Sequence, residues 1–182
     1  MCSSFLYNTL MHSSITLNSV ILKWFDIGEA DRILTVFSLE MGKTSVIAKG
    51  LKRITSRKAG SVEVGTNVKL FVAEGRNFYV LQETSVINSY PNLKSSLNTI
   101  KYAYYIFEIV DALLPENEVH SDVYSLLLQI LQILETHPRK IFIRAFEVKL
   151  MSYLGYLAVD PEELMSGNVS GSEFLSEASV IG

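Results

Sequence analysis

The side chains in this sequence whose types and spacing best suit chemistry are cations. Between Met41 and Val62 stand Lys43, Lys49, Lys52, Arg53, Arg57 and Lys58, with no Asp or Glu among them. The chain has 182 residues, sixteen basic and nineteen acidic, for a net charge of −3, so the other ten cations sit in a distinctly acidic body. The total charge argues against nucleic acid as a partner, whereas the distribution argues for it. A charge run taken alone is more often a solvated loop than a site. Here, however, no neighbouring carboxylate in the sequence cancels the field within a Debye length of about 10 Å. Gly50, Ser56 and Gly60 add the backbone freedom to follow a phosphate chain. These features suit sequence-independent contact with phosphates, with release of their counterions.

Other chemistries fail on spacing. Gly42-Lys43-Thr44 resembles the end of a phosphate-binding loop, but the motif needs a glycine five residues before Gly42, where Phe37 stands. The segment also leads into a strand-like run and not into a helix whose N-terminus could hold phosphate. No Gly-x-Ser-x-Gly or His-Glu-x-x-His occurs, and Glu162-Glu163 project in different directions from a helix, where they suit charge at its N-terminus. Cys2 is the single cysteine, which excludes an intrachain disulfide and a cysteine zinc site, and His12, His120 and His137 lack metal-ligand spacing. The expectation is a non-enzymatic protein with no cofactor, no metal and no small-molecule substrate. No apolar run approaches the roughly 20 residues of a spanning helix, and no Lys or Arg precedes Lys23, so a soluble, cytoplasmic protein without membrane contact is expected. Asn168-Val169-Ser170 is a glycosylation pattern too short to carry weight.

The elements that must position the cations are legible in the hydrophobic pattern. Residues 1–14 are Ser-rich and aperiodic and read as an extension. Ile15 to Trp24, Ile33 to Phe37, Thr44 to Ala48, Val68 to Val72 and Phe78 to Leu81 are β-branched or aromatic runs. Turns are predicted at Asp26 to Asp31, at Met41-Gly42-Lys43 and at Glu74 to Asn77. Five short strands joined by hairpin-length connections predict a small barrel over residues 15–90. The basic stretch lies between its third and fourth strands. OB-type barrels bind single strands through basic grooves with aromatic stacking, for which Trp24, Phe25, Phe78 and Tyr79 are the candidates; each equally suits a core.

At Tyr90-Pro91 the pattern changes, and a helical domain is predicted over 91–165. Leu93, Leu97, Ile100, Tyr104, Phe107, Val110 and Leu114 recur at helical spacing up to Pro115. Ser121 is the expected cap of a second helix running to Leu134, with an apolar stripe wide enough for burial on more than one side. Pro138 suits the start of a third, and Gly155 its left-handed C-terminal residue. Asp160-Pro161-Glu162-Glu163 has the signature of one more helix start, and residues 166–182 read as a flexible tail. The fold class is therefore α+β.

The sequence also resembles the RecO family of bacterial recombination mediators. The resemblance rests on Ser19-Val-Ile-Leu-Lys, Gly28-Glu-Ala-Asp-Arg-Ile-Leu-Thr-Val-Phe, Gly42-Lys, Ile47-Ala-Lys-Gly and Ser56-Arg-Lys-Ala-Gly, and then on Tyr102-Ala-Tyr-Tyr, Glu108-Ile-Val-Asp-Ala-Leu-Leu-Pro-Glu, Arg144-Ala-Phe-Glu-Val-Lys-Leu and Leu154-Gly-Tyr. These fragments span roughly residues 15–158 in the family's order. The resemblance implies an N-terminal OB-fold followed by an α-helical domain. It implies binding of single- and double-stranded DNA, annealing of complementary strands and, with RecR, loading of RecA onto DNA coated by single-strand-binding protein. The family's Asp-Arg and Ala-Lys-Gly segments fall on Asp31, Arg32, Ala48, Lys49 and Gly50, which adds Arg32 to the expected DNA contacts.

Two departures qualify it. Many members carry a four-cysteine zinc site after the Leu-Gly-Tyr segment; no cysteine stands there, so no zinc is expected. Members also continue with further helices, so a shortened helical domain with exposed apolar faces is expected. The alternative is an OB-fold adaptor for partner proteins, with the basic stretch as solvated decoration. Binding to RecR without binding to DNA would favour it.

Overall fold

A computed structural model gives the architecture and describes residues 14–51, 62–75 and 78–157. Five strands come first: β1 (Ser14–Ile27), β2 (Asp31–Ser38), β3 (Gly42–Ala48), β4 (Asn67–Glu74) and β5 (Tyr79–Asn88). They close into a barrel in the order β1-β2-β3-β5-β4, and every pairing is antiparallel except β3 with β5. This is the five-stranded OB barrel.

β1 serves both halves of the barrel, pairing with β4 through Ser14 to Val20 and with β2 through Ser19 to Ile27. A register shift between Ile21 and Lys23 bends the strand where the two partnerships meet. Ile21 joins the barrel interior, while Leu22 faces the helices. Two elements outrun the pattern. β1 continues to Ile27, because Phe25, Asp26 and Ile27 have partners in Ile33, Arg32 and Asp31, and only Gly28–Ala30 is left to turn. β5 continues to Asn88 because β4 offers ladder partners back to Asn67, although Val86 and Ile87 are exposed.

Beyond the barrel come a 3₁₀ turn (Pro91–Lys94) and three helices, α1 (Leu97–Leu113), α2 (Ser121–Thr136) and α3 (Lys140–Tyr153). The first helix therefore starts later than its apolar spacing predicts. Ser96 takes an extended conformation and its hydroxyl accepts the Thr99 N–H at 3.3 Å, so the chain begins a new helix there. The preceding turn is held from outside: the Glu135 carboxylate of α2 accepts the N–H groups of Asn92 and Leu93 at 3.0 and 2.9 Å. Ser121 does not cap α2; the N-cap is His120, with no side-chain bond. Pro138 precedes α3 by two residues, and Arg139 is that helix's N-cap.

Gly155 ends α3 in the left-handed region at φ 77°. The Gly155 N–H donates to Ser152 O and the Tyr156 N–H to Met151 O, the paired bonds of a Schellman motif.

Two cores result. Leu17, Ile21, Leu34, Val36, Val46, Leu70 and Val72 fill the barrel. The other forms between the barrel's outer surface and the helices, where Val20, Leu22 and Phe37 meet Ile106, Phe107, Val110, Val123, Tyr124 and Leu127. Phe37 meets Tyr124 edge to face, with ring centroids 5.9 Å apart. The helices are thus packed on the barrel across an apolar seam.

Candidate nucleic-acid interface

Of the seven cations expected to touch DNA, the described residues include Arg32, Lys43 and Lys49. Lys52, Arg53, Arg57 and Lys58 lie outside them. The positions that bracket those four are firmly anchored. Leu51 and Val62 are 1% and 0% exposed and belong to the barrel core. Ten residues, 52–61, separate these two anchors in the sequence. Lys49 lies just after β3 and is exposed. The Gly50 N–H donates to Asp31 Oδ1 at 2.8 Å, which ties the start of the segment to the first residue of β2. Gly50 itself has φ 66°, the left-handed backbone that glycine adopts at least cost.

Arg32 pairs with Ala48 across the β2–β3 ladder, so it shares a barrel end with Lys49. Its guanidinium Cζ lies 3.7 Å from the centre of the Trp24 ring, and its Nε donates to Asp26 Oδ1 at 2.9 Å. The register explains both contacts. Trp24 pairs with Leu34 and Asp26 with Arg32, so these side chains alternate onto one face of the hairpin as diagonal neighbours. Trp24 remains 38% exposed, with Arg32 over one face of its ring.

Lys43 sits elsewhere. It is 9% exposed, and its Nζ donates to the Asp111 carbonyl oxygen at 2.5 Å and lies 3.7 Å from that residue's carboxylate. Lys23 pairs with the same carboxylate. Asp111 lies in the last turn of α1, where a cation complements exposed carbonyls and the helix dipole. The Asn117 N–H also donates to Lys43 O at 2.8 Å. Next to it, Gly42 at φ 68° passes so close to the α1–α2 connection that a Cβ would overlap the Glu118 carbonyl. Lys43 therefore joins barrel to helices, and its ammonium is turned away from solvent. Nothing local in the sequence signals this, because the two partners are 68 residues apart.

The aromatic candidates separate into two places. Trp24 and Arg32 line a cavity of about 450 Å³ between the β1–β2 hairpin, residues 62–65, the 3₁₀ turn and α1. Phe78 and Tyr79 line a different, polar hollow with Thr44, Ser45, Glu74 and Glu116, whose two carboxylates oppose a phosphate. Phe25 is half exposed on the hairpin face opposite Trp24. The first cavity also brings in Tyr104, which the sequence pattern assigned to a helix, Tyr90, which it read as the domain boundary, and Lys94, which it did not single out. Lys94 Nζ donates to Glu63 Oε2 at 2.7 Å. Burial pushes the Tyr90 hydroxyl above its ordinary pKa, the Asn67 side chain partly offsets this, and the Glu135 charge adds to it.

Among the described residues no three His, Cys, Asp or Glu side chains gather as a metal site. No described helix is long and apolar enough to cross a membrane.

Residues 11–90 match the family model described as Recombination protein O N terminal, and residues 94–161 match the one described as Recombination protein O C terminal. The chain is 36% identical over 142 residues to the DNA repair protein RecO of Pelotomaculum thermopropionicum, covering 78% of this chain and 56% of that protein. It is 34% identical over 139 residues to the same-named protein of a Roseiflexus species, with 76% and 49% coverage. Against that of Desulforamulus reducens it is 30% identical over 157 residues, with 86% and 60% coverage. The chain thus spans between about half and three-fifths of the length of these relatives. The two consecutive matches follow the division into barrel and helices: the chain belongs to the RecO family.

Proposed function

We propose that this protein acts in DNA repair and homologous recombination as a non-enzymatic mediator that binds DNA through the basic segment after β3. The observation that carries the reading is the placement of the segment's anchors. Leu51 and Val62 are locked in the barrel core, and the exposed Lys49 stands beside the strand end that holds Arg32. An acid-free run bearing Lys52, Arg53, Arg57 and Lys58 is thereby tethered at both ends to an OB barrel. Such a run would neutralise phosphates of single- or double-stranded DNA without reading sequence. Holding two strands by their phosphates leaves their bases free to pair, which is the physical basis for annealing.

The name of the relatives, DNA repair protein, supports the same process. Within it, the family resemblance makes RecR and single-strand-binding protein the partners, with RecA loaded as the consequence, in the bacterial cytoplasm at the nucleoid. Lys43 is omitted from the DNA contacts because its ammonium is committed to Asp111.

Affinity for single-stranded DNA should fall with salt. Contact by Lys49, Lys52, Arg53, Arg57 and Lys58 corresponds to a log–log slope of about −3.5. Neutralising Lys52, Arg53 and Arg57 together to Gln should flatten it by about 2. A flat salt titration for the unaltered protein, or an unchanged slope in the triple variant, would contradict the reading. Retained RecR binding in that case would favour the adaptor role.

A further inference from the structure

The cavity beside Trp24 differs in chemistry from the cation-rich run of the sequence. Its floor is apolar, with Val62, Val64, Leu93, Ile100, Ala103 and Phe107. One exposed aromatic ring comes from each side: Trp24 from the barrel hairpin and Tyr104 from α1, 38% and 56% exposed. Gly65 also lines the cavity, and a Cβ there would stand 3.0 Å from the Phe107 ring. Its two cations, Arg32 and Lys94, are each balanced by a carboxylate, Asp26 and Glu63. The result is an aromatic and apolar recess with a nearly neutral rim. At about 450 Å³ it falls within the range of ligand pockets.

We infer that this cavity is a subsite for an unstacked base of single-stranded DNA. The inference rests on the DNA-binding reading above and deepens it. Neutral aromatic walls suit the uncharged heterocycle of a nucleotide and not its phosphate. The phosphates have their own cations close by in the chain, because Val62, which lines the cavity, is also the residue to which the basic segment returns. A strand held by that segment can thus turn one base toward Trp24 and Tyr104. A duplex cannot, since its bases are paired and stacked. The cavity would therefore distinguish single strands from duplex, which phosphate contacts alone do not.

Trp24 is the only tryptophan in the chain, so its emission reports this cavity directly. The experiment follows Trp24 fluorescence with unlabelled oligothymidylate, an abasic oligomer of equal length and a duplex, while anisotropy of labelled versions measures binding separately. Oligothymidylate should quench Trp24, whereas the abasic oligomer and the duplex should bind without quenching. Tyr104→Ala should weaken oligothymidylate binding about tenfold, the scale of one lost base stack, and leave duplex affinity unchanged. Tyr104→Phe should restore it. Oligothymidylate that binds without changing Trp24 emission, or an abasic oligomer that quenches equally, overturns the subsite and leaves phosphate binding standing. Absence of any binding by anisotropy at low salt overturns both readings together.

Discussion

Lys43 shows how one side chain can carry a misleading signal. In the sequence it opens the acid-free run and sits beside a glycine and a threonine, which suggests phosphate chemistry twice over. In the fold its ammonium lies over the last turn of α1, bonded to the Asp111 carbonyl and shared electrostatically with a carboxylate that Lys23 also engages. Removing this ammonium takes away the donor to a part-buried carbonyl and one of the two cations on the Asp111 carboxylate, which costs more than removing a surface cation. Lys43→Met is expected to lower stability by about 2 kcal/mol in urea unfolding. It should leave the salt slope of DNA binding where it was. A slope reduced by about 0.7 would mean that this ammonium reaches a phosphate after all. Arg32 is the contrasting case: it stacks on Trp24 with its side chain still 23% exposed, next to the recess proposed to take a base.

Between elements, the start of β3 is seated against the connection from α1 to α2. Gly42 tolerates it on two grounds, a left-handed backbone and the absence of a Cβ that would meet the Glu118 carbonyl. Gly42→Ala is expected to destabilise the protein by more than about 2 kcal/mol, since both strain and overlap must be relieved by moving the connection. Thermal unfolding measures this directly; a loss within error of zero would mean that the connection is not seated against the turn. Gly155 closes α3 as its position in the pattern predicts, because a Schellman motif needs only local bonds. The start of α1 departs from the pattern because Glu135, more than forty residues away, captures the preceding turn's N–H groups.

Across the whole molecule, the seam between barrel and helices makes the two halves interdependent. Tyr124 sits in it against Phe37, and its pKa is pushed up to about 12, chiefly by burial, with the charges of Glu40 and Tyr90 adding to the shift. The folded phenol holds its proton to higher pH than the unfolded one, whose ordinary value is 10.0. Its contribution to stability is therefore complete below about pH 10 and is lost as pH rises toward about 12. Urea midpoints should decline over that window, and Trp24 emission, which reads the barrel, should decline together with the far-ultraviolet dichroism of the helices. Separate midpoints for the two signals would mean that the seam does not couple them. Much of this architecture was legible beforehand. The β-branched and aromatic runs Ile33 to Phe37 and Thr44 to Ala48, helical spacing after Pro91 and the RecO-like fragments together specify an OB barrel followed by helices, because residue type, periodicity and turn residues act over a few neighbours. The cation run was equally legible, since charge is a property of composition. Which of those cations faces solvent, which aromatics gather around a common recess and which glycine bears a neighbouring connection were decided only by tertiary structure. Each depends on residues distant in the chain, Lys43 with Asp111, Trp24 with Tyr104, Gly42 with Glu118, meeting where strand register and helix packing bring them together.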